Sequence, residues 1–290
     1  MVVANAAGMV KRPEHVVELS ESAVTRVVVG SLTLEARPGN LGETYYYDPV
    51  SRTAWNSKGL DNLGVEEAIW WLPEMRDLLN RNEKELAVSI AGYKPEEYSR
   101  CVEVIAPWVD RIEVNLGCPN VWHKGVKKPV VSYDPSAVLE ILGAVGSANR
   151  YGRPCSVKYS PVGDELVDVL AFAVSSYDFV DELIVCNTIP DQEGVRRDGS
   201  PALAFRTEEG GEVKHTGGMS GSPLKSHRRR LTRLFRNALP GRMKVITVGG
   251  IDSGQDILDC IEDGADGFMV GTHFFEHGPG VFSQILQEAV

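Results

Sequence analysis

The sequence predicts an α/β protein with a closed (β/α)8 barrel. Three observations carry that prediction. Short, β-branched apolar runs recur eight times along the 290 residues. Stretches with helical spacing lie between many of them, the alternation that builds a parallel sheet. Glycine turns end the last two runs, where barrels of this kind often bind phosphate.

The runs fall at residues 2–4, 26–29, 86–90, 111–116, 155–159, 182–186, 244–248 and 267–270. Their near-continuous apolar character suits strands covered on both faces. Helices are expected at 65–79, from its apolar spacing, and at 95–106, where Pro95 takes a first-turn position that needs no N–H. Another is expected at 134–143, with Asp134 as cap ahead of Pro135. Residues 222–239, 253–262 and 280–290 complete the set. A doubly wound sheet would need a glycine fingerprint after the first strand, and Asn5-Ala6-Ala7-Gly8 does not supply it. No linker divides residues 1–290, so a single barrel is expected. Long active-site loops are placed at about 34–61, 119–133 and 189–222, the first and last read as irregular.

Bulk composition narrows the function classes. The chain is 43% hydrophobic and 24% charged, as soluble globular proteins are. A net charge of -10 argues against a nucleic-acid partner. Five cysteines without paired metal-type spacing point to a reducing, cytoplasmic setting and no metal site. No apolar run approaches the roughly 18–20 residues of a membrane span. The first residues lack the pattern of a secretory signal. Arg228-Arg229-Arg230 reads as a solvated helix face.

Chemistry concentrates at Asn115-Leu116-Gly117-Cys118-Pro119-Asn120, directly after the fourth run. Carboxamides hydrogen-bond a polar ring without taking its proton, whereas a thiol can exchange one. Asn115, Asn120, Asn56, Asn187 and Thr188 together suit an imide or pyrimidine ring. Cys118 sits in a loop and has a usable acid–base thiol, while Cys101, Cys155, Cys186 and Cys260 read as buried and inert. Lys158 ends the fifth run, where an unpaired cation is costly; the plain alternative is a side chain that snorkels to water. Gly249-Gly250 and Gly271-Thr272 end the seventh and eighth runs and point to a phosphate, of a substrate or of a cofactor.

These motifs, taken in order, resemble the dihydroorotate dehydrogenase family, FMN-dependent (β/α)8 barrels. The resemblance covers nearly the whole chain. It includes Gly30-Ser31-Leu32-Thr33-Leu34-Glu35, Arg37-Pro38-Gly39-Asn40, Asn56-Ser57-Lys58-Gly59-Leu60, Asn115–Asn120, Val157-Lys158 and Asn187-Thr188. Gly217-Gly218-Met219-Ser220-Gly221 and the two late glycine turns complete it. A cysteine at 118 resembles the soluble class, since the membrane-associated class has serine there.

The resemblance implies an oxidoreductase acting on a CH–CH bond, most simply dihydroorotate to orotate in pyrimidine biosynthesis. It implies that Ala7, Gly8, Ser31, Asn115 and Lys158 line FMN, and that Gly221, Gly249, Gly250, Gly271 and Thr272 hold its phosphate. Asn56, Lys58, Gly59, Leu60, Asn115, Asn120, Asn187 and Thr188 would hold the dihydropyrimidine. Cys118 would be the general base and Lys158 would offset charge on the reduced ring. A homodimer is implied as well, with the electron acceptor (fumarate, oxygen, or NAD through a partner) left open. Two alternatives stand beside this reading. One is a sibling flavoenzyme for another cyclic imide or modified pyrimidine; the other is a non-redox barrel that binds a phosphorylated ligand.

The chain departs from the family at two places. Members carry a lysine in the loop after the second strand, whereas Gly30 and Glu35 hold the candidate positions here. Arg37 and Lys58 are the cations expected to substitute. Residues 121–130 form a basic loop with Lys124, Lys127 and Lys128, read either as a solvated lid or as a cationic attractor for an acidic substrate. The chain also begins almost at its first strand, so the small hairpin that often closes the barrel bottom is expected to be missing.

Overall fold

A computed structural model describes residues 1–123 and 126–290, apart from the side chain of His123. Eight parallel strands close into a barrel: β1 (Val2–Asn5), β2 (Arg26–Leu32), β3 (Glu85–Ile90), β4 (Arg111–Asn115), β5 (Cys155–Lys158), β6 (Val180–Val185), β7 (Lys244–Val248) and β8 (Gly267–Val270). Their hydrogen-bonded order is β1-β8-β7-β6-β5-β4-β3-β2, with β2 returning to β1. The predicted (β/α)8 barrel is the observed fold.

Strand alternation explains how one short run serves two environments. Val27, Val29, Val88, Ile112 and Val114 join the main core between strands and helices. Ala4, Val28, Ala87, Ile184, Ile246 and Met269 form a second, smaller cluster along the barrel axis. The axial positions of β4 are different in kind: Arg111, Glu113 and Asn115, all buried. At the N-terminal end of the strands, Arg26 donates to Glu182 Oε2 and Oε1 at 2.7 and 2.9 Å. It also donates to Glu85 at 2.5 Å. Arg111 donates to Glu85 at 2.9 Å and, through its Nη2, to Asp181 at 2.9 Å. These mutually paired charges fill that end of the barrel.

The helices follow the sequence signals where capping chemistry is local. Asp134 accepts from the backbone N–H groups of Ser136 and Ala137, and α5 runs over Pro135–Ala148, longer than expected. Ser253 accepts from Asp256 N–H and starts α8 (Gly254–Glu262). One other expectation is corrected, and three helices are new. The helix expected at 65–79 is two, α2 (Val65–Ala68) and α3 (Leu72–Arg81). Pro73 cannot donate back into a preceding turn, so it sits in the first turn of a new helix. Helices α1 (Pro13–Ser20), α6 (Val167–Ser175) and α9 (Thr272–His277) were not expected at all. The remaining helices are α4 (Pro95–Ile105), α7 (Leu224–Ala238) and α10 (Gly280–Glu288).

The long loops are not irregular. Strands Tyr45–Asp48 and Thr53–Asn56 of the first loop join Ile189–Glu193 and Thr216–Gly221 of the last in a four-stranded sheet. Leu41–Glu43 pairs with Ala204–Thr207, which pairs with Gly210–Lys214. Tyr45–Asp48 with Thr53–Asn56, and Ala204–Thr207 with Gly210–Lys214, are local hairpins, but the pairings between the two loops join partners too distant to leave a local periodicity. The basic loop contains a short hairpin, Trp122–His123 with Val126–Lys127. Its Trp122 is buried against Phe205, ring centroids 5.7 Å apart. Lys124 and Gly125 lie outside the described residues.

The reading of Arg228–Arg230 as a solvated face fails at Arg228. Arg228 is 1% exposed, with Asp256 Oδ1 3.7 Å from its Nη2. Arg229 pairs with Asp259, Glu262 and Asp263, and Arg230 with Asp164. Acidic side chains on α8 and after it hold Arg228 and Arg229 against the helix layer.

Candidate active site

One cavity opens at the C-terminal ends of the strands, where barrels of this class carry their chemistry. Every residue singled out in the sequence as a cofactor, substrate or catalytic candidate lines it. The walls come from different elements. Ala7 and Gly8 follow β1, Ser31 lies on β2 and Asn115 ends β4. Lys158 ends β5, while Asn187 and Thr188 follow β6. The two sheet-forming loops add Asn56, Lys58, Gly59 and Leu60 on one side and Gly221 on another.

The segment after β4 is braced by its own amides. Asn115 Nδ2 donates to Ser31 Oγ at 2.9 Å, and its Oδ1 accepts from Gly117 N–H at 3.1 Å. Asn187 Nδ2 donates to the same Oδ1 at 3.5 Å. Gly117 passes close to β5: a Cβ there would lie 2.7 Å from Ser160 N. Asn120 Nδ2 donates to Asn56 O at 2.7 Å, whereas its buried Oδ1 has no hydrogen-bond partner among the described residues. A buried acceptor left open in a cavity wall fits a ligand that brings an N–H.

Cys118 lies between these amides. It keeps some accessible surface and lines the cavity. Burial pushes its thiol up; a hydrogen bond from Asn120 N–H and the cations Lys128, Lys158 and Arg37 pull the other way without cancelling that. Cys101, Cys155 and Cys260 are buried away from the cavity, as expected. Cys186 is buried too, but it forms part of the cavity wall, and burial takes its thiol to about 12.

Opposite this segment is a glycine cradle. Gly221, Gly249 and Gly250 have φ of 84°, 126° and 68°, in the left-handed region that favours glycine. A Cβ at Gly249 would come within 2.9 Å of Leu224 Cβ, and one at Gly250 within 2.6 Å of Lys225 Cγ. Gly271 and Thr272 complete the concavity, and Thr272 Oγ1 lies 2.9 Å from Ser220 Oγ. Side-chain-free backbone at the entrance of α7 suits close approach by an anion such as phosphate.

The cations are distributed differently from the sequence expectation. Lys158 is 3% exposed and does not snorkel; Glu113 Oε1 lies 3.8 Å from its Nζ. Residue 30 could not carry a lysine in this backbone: its φ is 97°, and a Cβ would meet Ser89 O at 2.5 Å. Glu35 is exposed and does not line the cavity. Arg37, proposed as a substitute, is engaged elsewhere. It pairs with Glu208 at 2.6 Å and donates to Gly59 O at 3.3 Å. Lys58 does line the cavity. Its Nζ lies 4.3 Å from the centroid of the Phe275 ring and 5.5 Å from that of Tyr45. Burial and nearby Lys11 hold its ammonium below the ordinary lysine range.

Neither described lysine at the end of the basic loop is a free surface cation. Lys127 pairs with Asp191. Lys128 donates to Gly92 O and rests over the rings of Tyr93 and Tyr98, and burial lowers its ammonium to about 8. Packing corrects both the solvated and the attractor readings for Lys128, whereas Lys127 stands in an exposed surface pair; Lys124 lies outside the described residues.

Sequence reasoning missed the outer rim. Lys11 and Asp61 pair there at 2.5 Å, and Tyr45 donates to Glu276 Oε1 at 2.5 Å. Phe275 and His273 line the rim from α9. Burial and neighbouring His277 hold His273 below the ordinary histidine range. The only signal in the sequence was the run Tyr45-Tyr46-Tyr47, whose meaning depends on α9 lying beside it.

A family model described as dihydroorotate dehydrogenase matches residues 1–289. A dihydroorotate dehydrogenase (fumarate) of Trypanosoma cruzi is 30% identical over 98% of this chain and 87% of its own length. A dihydroorotate dehydrogenase (quinone) of Kineococcus radiotolerans is 28% identical over 98% and 76%. The catalytic subunit of a dihydroorotate dehydrogenase B (NAD(+)) of Methanocaldococcus jannaschii is 26% identical over 94% and 82%. Among solved structures, the DHODH of Eimeria tenella in complex with ferulenol superposes with a TM-score of 0.82 at 22% identity, covering all of this chain and 80% of its own.

Proposed function

This chain belongs to the dihydroorotate dehydrogenase family, and from that premise we propose that it is an FMN-dependent enzyme oxidising dihydroorotate to orotate, with Cys118 as general base. One observation carries the reading: the Cys118 thiol, the amides of Asn56, Asn115, Asn120 and Asn187, Lys158 and a glycine cradle all line one cavity. The cradle and the open Asn120 Oδ1 fit a phosphorylated flat cofactor and an N–H-bearing ring respectively.

The residues divide the work by position. Gly221, Gly249, Gly250, Gly271 and Thr272 would hold the FMN phosphate; Ala7, Gly8, Ser31, Asn115 and Lys158 would line the flavin. FMN, when bound, supplies the acceptor for a hydride. Asn56, Asn120, Asn187 and Thr188 hold the dihydropyrimidine ring with neutral groups that orient it without consuming its protons. Lys58 and the backbone of residues 58–60 face the substrate carboxylate. Cys118 removes the ring C5 proton as the C6 hydride leaves. Lys158 offsets the negative charge that then develops across the cavity.

The absence of any side chain at Gly30 favours a second reading, a sibling flavoenzyme for a different cyclic imide. Anaerobic mixing of the purified protein with candidate dihydropyrimidines separates the two. Dihydroorotate should bleach the flavin absorbance; if another dihydropyrimidine bleaches it and dihydroorotate does not, the sibling reading replaces the first. A colourless protein that takes up no FMN would sink both. The named relatives use fumarate, quinone and NAD(+), at similar identities. Overall similarity therefore does not choose the acceptor. No helix among the described residues is long and apolar enough to cross a membrane. By the same family likeness we take the working unit to be a homodimer.

A further inference from the structure

The mechanism above makes no use of Glu113, a buried acid beneath the cavity. It is 1% exposed and sits midway along β4, facing the barrel axis between Arg111 and Asn115. Register places Glu113 beside Ser89 of β3 and Ser156 of β5, and Asn115 beside Lys158. Lys158 therefore stands one inward position higher than Glu113, between that carboxylate and the cavity. Glu113 Oε1 accepts from Ser89 Oγ at 2.9 Å, and Ser89 Oγ lies 2.8 Å from Ser31 Oγ at the cavity wall. Glu113 Oε2 has no hydrogen-bond partner among the described residues.

A buried carboxylate with one oxygen unpartnered is costly to fold, and an apolar side chain of similar size would fill the place more cheaply. Beside Lys158, the next inward positions along the register are apolar, Ile184 and then Ile246. Among the described residues the acid paired with its ammonium is Glu113. Its 3.8 Å separation from Lys158 Nζ is close enough for strong attraction in a poorly screened interior, yet too long for a hydrogen bond. The carboxylate thus fixes the ammonium while its protons remain available to the cavity.

We propose that Glu113 is a positioning residue for Lys158. As a fixed negative charge beneath that cation, it sets how strongly Lys158 favours the reduced, negatively charged form of a bound flavin over the oxidised form. The proposal rests on the reading that FMN occupies the cavity. Part of the lysine's field is spent on Glu113, so the carboxylate moderates the preference for reduced flavin. Ser89 in turn donates to Oε1, the oxygen 3.8 Å from the lysine, and keeps it from closing that gap.

The test is the two-electron midpoint potential of the bound flavin, measured at neutral pH on the flavin-loaded protein by equilibration with reference dyes. Glu113→Gln removes the charge and keeps the shape. It should raise the preference for reduced flavin about tenfold, the order expected for one interior charge a few ångströms behind the cation, which is about 30 mV for a two-electron couple. Glu113→Asp, which keeps the charge, should bring the potential back toward the native value. Ser89→Ala should lower the potential, because Oε1, already the oxygen nearest Lys158, is then free to approach it more closely. An unchanged or lowered potential in Glu113→Gln overturns the proposal. Should that variant retain no flavin, Ser89→Ala decides: a fall supports the proposal, and an unchanged or raised potential ends it. Native protein that binds no flavin sinks the functional reading and this inference together, whereas flavin with an indifferent potential sinks the inference alone.

Discussion

Lys58→Met probes the most unusual cation of the site. Lys58 Nζ faces two aromatic rings, 4.3 and 5.5 Å from their centroids, inside the cavity wall. Its charged form is disfavoured by burial and by Lys11. The sign of the stability effect follows from that. A lysine whose folded pKa lies below its unfolded value of 10.5 weakens the fold while the pH is below the folded pKa, and the penalty disappears above 10.5. Removing the ammonium should therefore raise the melting temperature at neutral pH. Substrate binding should move the other way. A charge-assisted hydrogen bond to a carboxylate is worth about 1.5–3 kcal/mol, so losing it should raise KM by roughly 10- to 150-fold. Steady-state kinetics with dihydroorotate and a dye acceptor read this directly, with flavin content as control. kcat should change less than KM, as for an interaction present before the transition state. In the native enzyme, KM should climb as the pH rises toward 10.5 and Lys58 loses its proton; in the methionine variant that climb should be absent. An unchanged KM, or a variant less stable than the native protein, would refute the assignment of Lys58 to the substrate carboxylate.

Three further outcomes are expected. Cys118→Ala should retain FMN and lose about 10²- to 10⁴-fold in flavin reduction by dihydroorotate; because burial raises the thiol, the native rate should keep climbing past the ordinary thiol range, and a plateau below that range would count against Cys118 as base. Gly218→Ala would put a Cβ 2.2 Å from Thr188 Oγ1 and 3.2 Å from Asn120 Nδ2; both should be displaced, giving a KM at least about tenfold higher with flavin retained, and native-like kinetics would show that these side chains do not hold the ring. Glu182→Gln breaks a buried ion pair and should cost about 3–5 kcal/mol in urea unfolding; Arg26 and Arg111 hold the Glu182 carboxyl at about 2 despite its burial, so its contribution is present above 4.5 and fades as the pH falls toward 2. A gap between variant and native stability that stays constant across that window would contradict this.

Much of the barrel was legible because its strands are short, β-branched and buried on both faces. Residues 244–248 and 267–270 needed no context to be recognised. The helix starts at Asp134 and Ser253 were legible for a similar reason: capping is completed within a few residues. Pro73 was a legible break that apolar spacing overrode. The sheet built from Tyr45–Asp48, Thr53–Asn56, Ile189–Glu193 and Thr216–Gly221 was not legible as a whole, since its two halves meet across some 160 positions, as Trp55 meets Met219. The candidate site followed the same division. Asn115, Cys118, Lys158 and the glycine turns stood out because they interrupt or end apolar strands. Tyr45, Phe275 and His273 gave no comparable signal.

By itself, then, the sequence determined the barrel, the strand ends that carry the candidate chemistry and the family to which they belong. These depend on local alternation, glycine conformational freedom and residue type, which are written along the chain. Tertiary structure alone decided which cations are available: Arg37 is neutralised by Glu208, Lys128 is buried over two tyrosines, residue 30 has no room for a side chain, and Lys58 is left facing the cavity. It also placed Glu113 beneath Lys158. The physical reason is that a charge acts through the distance and dielectric between side chains, and those are set only when remote strands are brought into register.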